Sequence, residues 1–188
     1  MPKLGAEPIR KAALINAAIS AVGRAGSLDV TVAQIAREAG MSSALAHHYF
    51  GSKDQMFLAA MRHVLNGYRD SVAAGLPGGS PRQRLDAIII ASFDQQNFRQ
   101  EVISAWLNFY ALSRVNRQAA RLLRVYHRRL HSNLMVALRP LTDRPERVAE
   151  TLAALIDGLY LRAALGHSPV DGAAAIAMIS DYLDEVLT

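Results

Sequence analysis

Read for hydrophobic spacing alone, the chain is a series of amphipathic helices separated by short polar or glycine-bearing breaks. Ile9, Ala12, Ala13, Ile15, Ala18, Ile19 and Val22 recur at the three- and four-residue intervals of one helix face, and the run stops between Gly23 and Gly26. Thr31 with Gln34 has the spacing of a capping box, and Val32, Ile35 and Ala36 give the next helix its apolar face. Gly40 ends that helix, and Ser42 caps a third running to about Phe50. Ser52 and Gln55 form a further box that opens a long helix through Phe57, Met61, Val64, Leu65 and Tyr68. "AAGLPGGSPRQ" is a break, after which Ser80, Pro81 and Gln83 read as cap, first helical residue and box partner. Helical patterns follow at about 81–96, 98–112, 115–138, 144–165 and 169–187, the last two starting at "TDRPE" and "HSPVD". The pattern predicts an all-α protein of about nine helices, with no internal repeat.

Composition agrees with that pattern. Hydrophobic residues make up 51% of the 188, enough for a sizeable core, and aromatics only 6%. The absence of cysteine excludes disulfides and thiolate metal sites. No run reaches the ~18 apolar residues of a membrane span, and the start "MPKLGAEPIRKAALINAA" has no signal-peptide core. A soluble, cytoplasmic protein is the expectation. The net charge is +5; up to His63 the chain has seven Lys/Arg against four Asp/Glu, and beyond it fourteen against twelve. The first third holds most of the excess, which points to a polyanionic partner for that end.

From Thr31 to Phe50 two short helices flank "AGMS", and Ala39 and Gly40 permit the tight turn of a helix-turn-helix unit. In such a unit the second helix enters the major groove of DNA. The segment "TVAQIAREAGMSSALAHHYFGSKDQMFLAAM" resembles the DNA-binding segment of the TetR family of repressors, in its Ala-Gly turn, its His-Tyr-Phe ending and the Lys opening the fourth helix. The resemblance implies a DNA-binding domain over 1–54, a helical effector-binding and dimerisation domain over 55–188, and a homodimer reading a palindromic operator. Carried over, it puts Thr31 and Ser43 on backbone phosphates at helix N-termini, beside the cap Ser42. Tyr49 and Lys53 take phosphate-contacting positions. Ser43, Ala44, Leu45 and His47 face the groove, Leu45 suited to a thymine methyl and His47 to a base edge or phosphate. His48 suits either phosphate contact or packing. Many relatives carry Lys, Gly, Thr and Tyr where this chain has Ser43, Ala44, Leu45 and His47, so the operator sequence cannot be borrowed.

Further on, "AWLNFYALS", "RRLHSNLMVALRP" and "LAALIDGLYLRAALG" resemble the choline-responsive branch of the same family. A quaternary ammonium offers no hydrogen-bond donor, so it is recognised by aromatic faces and a carboxylate. Trp106 and Tyr110 share one helix face and Asp157 and Tyr160 another; together they would make an aromatic box with an anionic wall, flanked by Asn108 and Phe109. The same aromatics also read as ordinary core residues with satisfied polar tips. Leu152, Leu155, Ile156, Leu159, Ile176, Ile179 and Leu183 supply apolar faces for a four-helix dimer interface.

Other constellations carry less. His127 and His131 have the spacing of a metal pair, but Arg124, Arg128 and Arg129 crowd them and no third ligand is evident, so no metal or cofactor is expected. Arg117, Arg121, Arg124 and Arg128 read as a solvated stripe. With no phosphate loop or nucleophile–base pair, an enzyme has little support. The rivals are a TetR-type regulator with an unrelated effector, a helical small-molecule carrier that no longer binds DNA, and a helical enzyme using the same cavity.

Overall fold

The computed structural model describes residues 6–75, 79–166 and 171–187. Residues 76–78 of the glycine-rich break, and 167–170 of the turn before the last helix, lie outside the described residues. Nine helices are described: α1 Ala6–Ala25, α2 Val32–Glu38, α3 Ser43–Phe50, α4 Lys53–Gly75, α5 Pro81–Phe93, α6 Gln100–Ser113, α7 Arg117–Leu138, α8 Pro145–Leu165 and α9 Gly172–Val186. The caps explain most of the boundaries. Thr31 and Ser80 each accept from the backbone three residues on, while Gln34 and Gln83 reach back, closing both capping boxes. Asp171 accepts from the Ala174 N–H and starts α9. α5 ends three residues short of its hydrophobic pattern because the Asp94 carboxylate accepts from the Gln96 and Asn97 N–H groups at 2.9 and 2.7 Å, which favours a turn over continued helix.

α1, α2 and α3 form a small head on the start of α4. Between α2 and α3, Gly40 has φ +67°, a left-handed conformation that an L-side chain resists, so the pair can cross sharply. Arg24 and Glu38 form an ion pair joining α1 to α2. α4 then runs from the head into the body, where it meets α5, α6 and α7.

The head is seated by α1, which packs on α4 and also on α6. At Gly23 the two backbones approach so closely that a β-carbon would lie 2.6 Å from Glu101 Cα. Asn108 of α6 donates to the Gly26 carbonyl at 3.2 Å, tying the end of α1 to the same helix. Two bonds join α7 to the first turn of α4: Gln55 to Gln118 at 2.8 Å and Asn116 to Asp54 at 3.4 Å.

In the body, α8 packs on α6 and α7, and α9 on α5. Leu152, Ile156, Ile179 and Leu183 are buried in these contacts at 1% exposure or less, so these four belong to the protomer's own core rather than to a face left for a mate. Leu155, Leu159 and Ile176 are half-buried, and Leu161, Leu165 and Met178 are 45%, 64% and 55% exposed. No described helix is long and apolar enough to cross a membrane.

Candidate functional site

Two regions gather the residues singled out above. The first is the outer surface of the head. Ser42 caps α3 by accepting from the Leu45 N–H at 3.2 Å, and Ala44, His47 and His48 are exposed beyond it while Ser43, Leu45 and Tyr49 are half-buried. Ala46 faces inward and Phe50 packs against the core, which fixes the rotation of the helix. His47 Nδ1 lies 3.0 Å from the Gly51 carbonyl oxygen. That oxygen only accepts, so Nδ1 carries the proton of this bond, and the exposed ring keeps Nε2 out of it. Tyr49 is held between the Lys11 ammonium, 5.5 Å from its ring centroid, and the His48 ring, also at 5.5 Å. Lys53 Nζ donates to the Leu28 carbonyl at 2.8 Å, which anchors the loop before α2 and leaves two of its three protons for another acceptor. Thr31 is exposed at the α2 N-terminus.

The second region is an aromatic cluster inside the body. Trp106, 5% exposed, sits at its centre with ring centroids of Tyr126, Tyr110, Phe109 and Tyr160 at 4.8, 5.6, 5.8 and 6.1 Å. Tyr110 donates to Asp157 Oδ1 at 2.9 Å, and His127 Nε2 stands 3.8 Å from the other oxygen of that carboxylate. Tyr160 directs its hydroxyl to the Ser92 and Asn97 carbonyls, at 2.6 and 3.0 Å, which pins α8 to the turn after α5. Burial raises the pKa of Asp157, with the Tyr110 bond and His127 pulling the other way. Burial first, and then the Asp157 charge, holds the Tyr110 hydroxyl far above its usual range; Tyr126 and Tyr160 are raised chiefly by burial. The walls are therefore neutral phenols and an indole around one carboxylate.

The structure brings Trp106, Phe109, Tyr110, Asp157 and Tyr160 together, with Phe109 fully buried behind the indole. Asn108 is a correction: the helical turn carries it to the opposite side of α6, where it bonds Gly26 and the Ser104 carbonyl. Two members were missed. Tyr126 of α7 stacks closest on Trp106, and Tyr68 of α4 lies 6.1 Å from Tyr126 with its hydroxyl buried and unpartnered. Both sit on apolar helix faces that give no local sign of which helices will meet. The pockets between these rings hold about 10 Å³ each, room for one water molecule. Among the described residues, no group of three or more His, Cys, Asp or Glu converges as a metal site, and His127 turns to Asp157 instead.

A helix-turn-helix head coupled by one long helix to a body with a polar-tipped aromatic cluster is the plan of a ligand-responsive DNA-binding regulator. Comparison with known proteins agrees. Residues 14–60 match the family described as bacterial regulatory proteins, tetR family, and residues 81–188 match the BetI-type transcriptional repressor C-terminal domain. The chain belongs to the TetR family and, within it, to the BetI-type transcriptional repressors. It is 54% identical over 186 residues to the HTH-type transcriptional regulator BetI of Brucella melitensis, covering 97% of this chain and 94% of that one. The BetI regulator of Agrobacterium fabrum is 49% identical over 187 residues, 98% and 91% of the two chains. Among solved structures, a TetR regulator from Haloarcula marismortui superposes with a TM-score of 0.85 at 22% identity, covering 96% of this chain and all of that one. A transcriptional regulator from Saccharomonospora viridis, solved in complex with choline, superposes at 0.82 with 23% identity over 93% and 95% of the chains. The fold and the relatives are those of regulators rather than enzymes.

Proposed function

We propose that this repressor works as a homodimer on a palindromic operator in the cytoplasm and is released when a choline-like quaternary ammonium enters the aromatic cluster. The observation that carries the reading is the convergence of Trp106, Tyr110, Tyr126 and Tyr160 on the Asp157 carboxylate. Electron-rich faces within about 6 Å and one negative charge are what a cation without hydrogen-bond donors requires. The choline complex of the Saccharomonospora regulator and the BetI likeness support the same ligand class. Pockets of about 10 Å³ are too small for a trimethylammonium group, so binding would spread the rings. Tyr68 carries that movement into α4, and α4 carries it to the head.

In this reading residues 1–54 read the operator and 55–188 sense and dimerise. Thr31, Ser43, Tyr49 and Lys53 hold phosphates, Ala44, Leu45 and His47 face bases, and Ser42 and His48 support them. Leu155, Leu159, Leu161, Leu165, Ile176 and Met178 meet their twofold mates, which would cover apolar surface that the protomer leaves open. Calorimetry with choline and with its uncharged carbon isostere, dimethylbutanol, tests the effector. Choline should bind and weaken the operator complex, and the isostere should do neither; equal binding of the two would refute a cation site.

A further inference from the structure

Tyr68 and Tyr126 line not only the small pocket beside Trp106 but also a much larger cleft between α4 and α7, of about 320 Å³. Its chemistry differs from that of the aromatic cluster. The floor is apolar, with Leu130 beside the two tyrosines, while Arg62, Arg69 and Arg129 stand exposed around it. No carboxylate is among the described residues that line it. Arg69 is bound to Asp70 at 2.8 Å, but Arg62 and Arg129 form no ion pair among the described residues.

Charge decides what such a cleft can hold. The two guanidinium groups left without a carboxylate, Arg62 and Arg129, repel a quaternary ammonium, so this is no outer chamber for choline. Two unpaired guanidinium forks over an apolar floor fit an anion with an aliphatic body, because arginine grips a carboxylate through two parallel hydrogen bonds. The Tyr68 ring forms part of the wall shared with the cluster, while its hydroxyl is buried on the Ser92 side, away from the cleft. The volume lies within the range of small-ligand pockets. We propose that the α4–α7 cleft is a second ligand site, taking an aliphatic carboxylate with its chain along Tyr68, Tyr126 and Leu130 and its headgroup on Arg62 and Arg129. The site does not depend on the choline reading, since the two cavities have opposite charge preferences.

The test is titration of the full-length protein with decanoate below its micelle concentration, followed by calorimetry and by the fluorescence of the single tryptophan, Trp106. One decanoate per chain should bind saturably, and decanol, which keeps the tail and loses the charge, should bind about tenfold more weakly. The double variant Arg62→Ala/Arg129→Ala, at two exposed positions, should lose about the same factor. Asp157→Asn, whose side chain is not in the cleft, should still bind decanoate whether or not it binds choline. Absence of saturable binding, equal affinity for decanol, an unaffected double variant, or loss of decanoate binding in Asp157→Asn would each overturn the proposal.

Discussion

Tyr110 of α6 donates its hydroxyl to Asp157 of α8 at 2.9 Å, holding the cluster's carboxylate against the aromatic faces. Burial lifts the Asp157 pKa above the 3.8 of an ordinary aspartate, so the folded chain binds this proton more tightly than the unfolded one. The stability contribution is therefore greatest in acid and is lost as pH rises through the raised pKa. A bound cation favours the ionised carboxylate, so choline affinity should run the opposite way, falling as pH drops through that pKa. Asp157→Asn should remove this pH dependence and most of the affinity while melting no lower than the parent at neutral pH. Calorimetry across the acidic-to-neutral range, with a melting curve for each protein, checks both.

Tyr68 buries a hydroxyl that makes no well-formed hydrogen bond; Ser92, which donates to the Ile88 carbonyl at 2.9 Å, is beside it as a weak acceptor only. Tyr68→Phe keeps the ring and removes the unsatisfied atom, and should stabilise the protein by about 1 kcal/mol. Denaturant unfolding measures it, and a loss of stability would mean that the hydroxyl is satisfied in solution.

Lys53 has two proposed duties, the Leu28 carbonyl and an operator phosphate. Lys53→Ala should weaken binding to specific and random duplexes alike and reduce the salt slope by about one. His47→Ala should instead change which sequences are preferred, because the proposed operator complex sets its exposed imidazole against a base edge. A selection of bound duplexes from a random pool separates the two effects.

Leu165 and Met178 are 64% and 55% exposed on α8 and α9. Leu165→Glu/Met178→Glu should shift the protein from dimer to monomer in sedimentation and abolish operator binding, since one head alone spans one half-site. Each protomer should keep its helical content, because neither side chain belongs to the core.

Much of the fold was legible because helix ends are written locally. The Thr31–Gln34 and Ser80–Gln83 boxes and the Gly40 turn all depend on residues within four positions of one another. The same local spacing paired Trp106 with Tyr110 and Asp157 with Tyr160. It could not say that α4 and α7 would complete the cluster with Tyr68 and Tyr126, nor that Asn108 would be turned toward Gly26. For the same reason Leu152, Ile156, Ile179 and Leu183 read as surface for a mate. An apolar stripe does not reveal whether it will be covered by its own chain or by a second one.

Because α1 meets Glu101 of α6 at a glycine, Gly23, which puts no side chain of its own into the contact, the DNA reader and the sensor are not interchangeable parts. A hybrid regulator that took its first helix from a relative with any larger residue there would hold α6 at a distance and forfeit the Asn108–Gly26 bond with it. A chimera joined inside α4 inherits that mismatch however well the junction itself is chosen. Retargeting this sensor to a new operator thus calls for exchanging single side chains on the outer face of α3, leaving the helix beneath it untouched.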